Sequence, residues 1–330
     1  MESLNDIVGD IIVSHKTLKM AIKLHSEAIS TIDSMNHSRG FSVVGPSGVG
    51  KTTHASILQS MFPSVQTKLG LDQHVIYCSV PPKPTLKGLA LSLLSALNDP
   101  FDEVISQKRG RNVERDLTAR CIKLIKECKV KAIIFDECQH LTKNPYIEST
   151  YIATDWLKSL MDSLKVVVIV MGLDSTIELF EQNEQLARRF SSTIKLRRFD
   201  WFEYDSRLEF IGVLGAFQEN LPQFEFPVLT DGEMSFRFYS ATGGLLAYIA
   251  KLLNQATLDA VHDKRDVIDL KHIADAYEKT MRVSSLDTAE NPFSDKFKPH
   301  PTSDSVNRAQ MIGVHVPTPR QRKRKEVVNA

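Results

Sequence analysis

Phe41-Ser42-Val43-Val44-Gly45-Pro46-Ser47-Gly48-Val49-Gly50-Lys51-Thr52-Thr53-His54-Ala55-Ser56-Ile57-Leu58 is the stretch on which the fold of this chain turns. A short apolar strand runs into a complete G-x-x-x-x-G-K-[ST] phosphate loop, Gly45 to Thr52, and a helix-forming segment leads out. In such a loop the glycines let backbone N–H groups close around a β-phosphate. The lysine reaches the β- and γ-phosphates, and the Ser/Thr hydroxyl ligates Mg²⁺. The helix that follows points its positive end at the anion. The residues expected to hold ATP are therefore Gly45, Pro46, Ser47, Gly48, Val49, Gly50, Lys51, Thr52 and Thr53, with Thr52 also a metal ligand.

Working outward, strand-like runs lie at Phe41–Val44, Val75–Val80, Ala132–Phe135, Val166–Met171 and Thr193–Leu196. The third and fourth are unbroken apolar runs, as central parallel strands covered on both faces require. Helical patterns fall between them, notably Leu86–Leu97 and Leu117–Cys128, and apolar positions at helical spacing over residues 5–35 place one or two helices ahead of the loop. Alternating strand and helix predict an α/β domain over 1–200 with a central parallel five-stranded sheet. After Phe199 the strands stop. Helical patterns at Tyr204–Glu219, Ser235–Ser240, Leu245–Asp259 and Leu270–Met281 predict a small all-helical domain over 201–285. Residues 286–330, rich in Pro, Ser, Asp and Lys with few apolar anchors, read as a flexible basic tail.

With 330 residues, 42% hydrophobic and 25% charged, the chain has ample material for a core and the composition of a soluble globular protein. No apolar run approaches a membrane span, and Met1-Glu2-Ser3-Leu4-Asn5-Asp6 carries no signal-peptide pattern, so the expected location is cytoplasmic, with no membrane partner. Cys78, Cys121, Cys128 and Cys138 contain no C-x-x-C pair, which favours buried reduced thiols over zinc. The net charge of +1 hides an asymmetry: residues 317–330 hold five Lys/Arg and one Glu. The rest is slightly acidic, so contact with nucleic acid must come from local patches or from that end.

Lys131-Ala132-Ile133-Ile134-Phe135-Asp136-Glu137 supplies the second half of an ATPase site. Asp136 emerges at the C-terminal end of a buried strand, where ligands of α/β sheets sit, and would hold Mg²⁺. Glu137 would polarise the attacking water. A surface Asp-Glu pair capping a strand is the plainer alternative. The fourth strand ends in Gly172-Leu173-Asp174-Ser175-Thr176, where Asp174 or Ser175 either contacts the γ-phosphate or the water, or caps a helix starting at Thr176. In Gln185-Leu186-Ala187-Arg188-Arg189-Phe190, one of Arg188 and Arg189 is a candidate arginine finger acting on a neighbouring subunit; the alternative is a salt bridge to Glu181 or Glu184. Lys108, Arg109 and Arg111, and the run Arg320 to Lys325, could meet DNA phosphates or be solvated loops.

Taken together, the phosphate loop, the Asp136-Glu137 strand and the Gln185–Phe190 arginines resemble an AAA+ ATPase, with 202–285 as its lid. More narrowly, Phe135-Asp136-Glu137-Cys138-Gln139-His140-Leu141 resembles the D-E-x-Q-H-L signature of the transposon-encoded ATPases called TniB and TnsC. Pro84-Thr85-Leu86-Lys87 through Asn98-Asp99-Pro100, the Gly172 turn and Leu186–Phe190 fit the same pattern in the same order. The resemblance covers roughly residues 35–255. It implies an ATP- and Mg²⁺-dependent regulator of DNA transposition that self-assembles as a ring or filament on double-stranded DNA. Such proteins link a target-selection protein to the transposase, and hydrolysis resets the assembly. The chain's shortness is similar to that of forms partnering TniQ-type adaptors, including those recruited by CRISPR effectors.

One departure stands out. AAA+ lids often carry an arginine soon after a glycine, touching the nucleotide, whereas Ala241-Thr242-Gly243-Gly244-Leu245-Leu246-Ala247-Tyr248 has none; Lys251, a turn on, is the nearest substitute. His140 reads as a structural hydrogen-bonding histidine. The rival functions are a replication initiator or helicase loader, and a scaffold that holds ATP without hydrolysing it. A small-molecule kinase is disfavoured, because an Asp-Glu pair suits water as nucleophile.

Overall fold

A computed structural model describes residues 8, 11, 13, 15–67, 70–99, 113–142, 147–181, 183–281 and 290–314. Among them the strands are β1 Arg39–Val44, β2 Val65–Thr67, β3 Gly70–Asp72, β4 Val75–Ser79, β5 Ala132–Asp136, β6 Val167–Gly172 and β7 Phe190–Lys195. Five form one sheet in the order β4-β5-β6-β1-β7, every neighbouring pair parallel. Period-two alternation sends successive residues to opposite faces. On β5, Ile133 and Phe135 pack with the helices Leu86–Ala96, Val113–Glu127 and Ile147–Ser163, while Ala132 and Ile134 pack with Lys16–Thr31 and Lys51–Met61. Each fully buried aliphatic or aromatic side chain contributes about 1.5–3 kcal/mol, so a strand apolar on both faces is held where helices cover both.

The β2–β3 hairpin was not anticipated from the sequence. Its strands have three residues each, too few and too polar to show a period.

The strand order places β6 between β1 and β5, so the three loops that follow these strands meet at the carboxyl end of the sheet. Gly45 N–H donates to Gly172 O at 3.1 Å, and Cys138 N–H to Met171 O at 2.9 Å. This stitching brings the phosphate loop, the Asp136-Glu137 turn and the Gly172 turn together.

The second core is helical: Tyr204–Glu219, Gly232–Thr242, Leu246–His262 and Leu270–Thr280. Local chemistry sets the ends. Asp231 caps the second helix by accepting from Glu233 N–H, Gly243 stops it at φ +58°, and Asp269 with His272 forms a reciprocal cap on the fourth. Trp201 sits at its centre, 4.9 Å from the Phe236 ring and 5.2 Å from Tyr239. Val8 and Val13, far away in sequence, are buried in the same core.

The expectation of a flexible tail from 286 onward is corrected for residues 290–314. This strap folds back on the helical domain, burying Phe293, and ends in a helix, Ser303–Gln310, that buries Val306 and Ala309. Two arginines hold its backbone. Arg237 donates to Pro292 O at 2.6 Å and Ser294 O at 3.1 Å, and Arg198 donates to Gln310 O at 2.6 Å and Ile312 O at 3.2 Å. The run 320–325, and with it the basic end, lies outside the described residues, as do Lys108, Arg109 and Arg111.

Candidate nucleotide site

The phosphate loop closes through backbone conformations that side chains resist: Gly48 has φ +83° and Gly50 φ +99°. The helix Lys51–Met61 starts directly behind it, leaving its first N–H groups facing the loop. Lys51 is buried, and its ammonium donates to Gly45 O at 2.8 Å and Pro46 O at 2.9 Å. Burial lowers its pKa, opposed by Asp136, Glu137 and Asp174, so three carboxylates converge on one cation.

Asp136 is 2% exposed at the end of β5. Its Oδ1 accepts from Glu137 N–H at 2.7 Å and its Oδ2 from the Tyr77 hydroxyl at 2.8 Å. Burial first, then this contact with Asp136, raises the Tyr77 pKa. Glu137 stands in the left-handed region at φ +58°, a conformation that costs a non-glycine residue energy and clusters at functional sites. Its Oε2 accepts from the Gln139 side-chain amide, whose Oε1 accepts from Leu173 N–H at 3.1 Å. Gln139 thus bridges the Glu137 carboxylate and the tip of β6.

That bridge explains Gly172. A Cβ there would lie 2.3 Å from Thr176 Oγ1 and 2.6 Å from Gln139 Oε1. Only hydrogen fits. Asp174 opens a 3₁₀ turn at this tip and is close enough to raise the Lys51 pKa. The capping alternative is not what forms: Leu173 holds the cap position and no side chain caps the turn. Ser175 Oγ is buried without a hydrogen-bond partner.

A cavity of about 240 Å³ lies at this carboxyl end of the sheet, lined by Ser47, Gly48, Gly50, Lys51, Thr52, Thr53, Asp136 and Glu137 on its polar side. Its apolar side comes from Val8, Ile11 and Val13 at the N-terminus, and from Phe217, Leu246, Ala247 and Ala250 of the helical domain. Ala247 N–H donates to Gly48 O at 3.0 Å, tying the lid to the loop. A polar, cation-bearing end and an apolar end match a nucleotide's phosphates and base. The hard oxygen donors Thr52 and Asp136 suit Mg²⁺ and would hold it there.

None of the apolar lining was legible in the sequence, and neither was Tyr77; Gln139 was visible only as part of a signature. Lys251 does not line the cavity, and its ammonium donates to Thr280 O at 2.6 Å. His140 is structural as expected, its Nδ1 3.0 Å from Val80 O. Cys78, Cys121 and Cys138 are buried thiols and Cys128 is half-buried; burial pushes Cys78 and Cys121 up to about 12.

Arg188 and Arg189 stand apart from this site, and neither lines the cavity. Arg188 pairs with Glu184 at 2.5 Å, one of the two partners foreseen, and is 74% exposed. Arg189 pairs instead with Asp162 at 2.5 Å, is 33% exposed, and has a buried Nε.

The sequence profile of the family described as bacterial TniB protein matches residues 6–200. The chain belongs to the bacterial TniB family. No curated protein matches it. In fold, this TniB-family chain is similar to the ORC2 protein of Aeropyrum pernix solved as ADPNP–ADP complexes, with a TM-score of 0.61 and 14% identity over 84% of this chain and 72% of that one. It is similar also to CDC6p from Pyrobaculum aerophilum, at TM-score 0.58 and 13% identity over 84% and 72%. The A. pernix ORC1 protein in complex with DNA gives TM-score 0.58 and 13% identity over 84% and 71%. At such identities the likeness is one of fold. The protein is an ATP-binding AAA+ ATPase of the TniB type. No helix among the described residues is long and apolar enough to cross a membrane.

Proposed function

We propose that this chain is an ATP-dependent regulator of DNA transposition that assembles on duplex DNA, as a ring or filament, and links a TniQ-type target-selection protein to the transposase. In some systems that adaptor is CRISPR-associated. The observation carrying this reading is the TniB family match over residues 6–200. In the proposed cycle, the loop from Gly45 to Thr53 cradles the phosphates, Lys51 neutralises them, and Thr52 and Asp136 hold Mg²⁺. The metal, when bound, offsets phosphate charge. Glu137, oriented by Gln139, takes the proton of the attacking water; at the tip of β6, Asp174 rather than the buried Ser175 reads the γ-phosphate.

Arg188 is the better finger of the two. Its exposed pair with Glu184 is worth no more than about 1 kcal/mol and gives way easily to a neighbouring subunit's phosphate. Arg189, bound to Asp162, is instead an anchor for the turn. Nucleotide then acts as glue between subunits, and hydrolysis loosens the joint. DNA would be held through its backbone, by residues such as Lys108, Arg109 and Arg111, so affinity should fall steeply with salt.

The test is electron microscopy of the full chain with duplex DNA and ATP, a slowly hydrolysed analogue, or ADP, alongside Lys51→Ala and Glu137→Gln. Assemblies with triphosphate, persisting in Glu137→Gln and absent in Lys51→Ala, are expected; none in any state overturns the reading. The fold likeness to ORC and CDC6 proteins favours one rival, a replication-type loader. Binding of the purified transposase, rather than of a replicative helicase, decides between them.

A further inference from the structure

We propose that Tyr77 is a positioning residue for the metal: its hydroxyl sets the Asp136 carboxylate in the orientation that accepts Mg²⁺. The inference rests on the reading that Asp136 serves the metal. Tyr77 lies on β4, the neighbour of β5, in register with Ile134. Residues 134 and 136 share a face by strand alternation, and Tyr77 packs on that same side, against the core cluster that contains Ile134. From there the phenol reaches along the strand to Asp136 Oδ2 at 2.8 Å. The other oxygen is held by Glu137 N–H at 2.7 Å. The carboxylate is therefore clamped at both ends. A buried carboxylate with one oxygen left free would rotate toward Lys51 or its own backbone, and the metal would have to pull it back.

The phenol is a choice that packing does not explain. Phenylalanine would fill the same volume, and only the hydroxyl makes the bond. Hydrogen bonds that orient a metal ligand from behind are commonly worth about 10–100-fold in metal affinity. Fifty-nine residues separate the two partners, so the pairing exists only in the folded sheet.

The experiment compares the full chain with Tyr77→Phe and Asp136→Asn, titrating Mg²⁺ while following a fluorescent ADP, and separately measuring ADP affinity in EDTA. Tyr77→Phe is expected to raise the Mg²⁺ midpoint by about 10–100-fold, leave metal-free affinity unchanged, and recover hydrolysis at saturating Mg²⁺. An unchanged midpoint overturns the inference, as does loss of metal-free binding without recovery, which marks a packing role. If Asp136→Asn itself leaves the midpoint unmoved, the assignment of Asp136 fails instead, and the two failures are told apart.

Discussion

Lowering the pH from 7.5 to 5.0 is expected to strip about 4 kcal/mol from the stability of this protein through two histidines behind the phosphate loop. His25, on the first helix, and His54, on the helix that carries Lys51 and Thr52, are fully buried, with His25 Nδ1 3.0 Å from His54 Nε2. One ring donates and the other accepts, as two neutral imidazoles can, and burial keeps both rings neutral in the folded state. Burial, and for His25 the neighbouring ring as well, pushes the pKa of His25 to about 3 and burial pushes that of His54 to about 4, from 6.5. Both folded values lie below the unfolded one. Their stabilising contribution is therefore complete above pH 6.5 and is lost as pH falls, because the unfolded chain binds the protons first. Each group loses about 1.4 kcal/mol per pH unit between 6.5 and its folded value, hence about 2 kcal/mol at pH 5.0 and about 4 for the pair. Urea unfolding at several pH values between 7.5 and 5.0, on the wild type and on His25→Leu/His54→Leu, measures the slope. The variant should take up about two fewer protons on unfolding; His15, also lowered by burial, stays in both and cancels. Equal slopes in the two proteins would refute the buried neutral pair.

Gly172→Ala should leave nucleotide affinity within a few-fold and cut turnover by about 100-fold, because the new Cβ displaces Gln139 from Glu137 and Leu173; equal turnover in a hydrolysis assay would contradict this. Arg188→Ala should slow hydrolysis in the assembled state by about 10³–10⁵-fold with no change in thermal stability. Arg189→Ala should do the reverse, lowering stability through loss of the Asp162 pair, and exchanged phenotypes would exchange the two roles. Arg237→Ala leaves Pro292 O and Ser294 O without their charged donor, at a cost of about 1.5–3 kcal/mol. Limited proteolysis should then cut within 290–314 faster than in the wild type.

The chemistry that was legible in the sequence is contiguous chemistry. A phosphate loop works through eight successive residues, and its glycines, lysine and threonine act through backbone geometry that no distant contact has to supply. The same holds for Asp136-Glu137 at the end of an apolar run, and for strands whose burial on both faces removes any alternation. Helices of the lid were readable because a 3.6-residue period survives in sequence.

What only the tertiary structure decided has partners far apart in the chain. The apolar wall of the cavity joins Val8 and Val13 to Phe217 and Leu246, and Tyr77 meets Asp136 across neighbouring strands. The arginine pair looked uniform from sequence, and the environment separates it: one side chain in solvent, the other against Asp162. The strap at 290–314 was misread because sparse anchors such as Phe293 and Val306 carry no period, and because Arg198 and Arg237 bind backbone carbonyls, which every residue has. Local spacing encodes groups that act together along the chain; groups brought together by the sheet and the lid share no spacing, and only packing selects them.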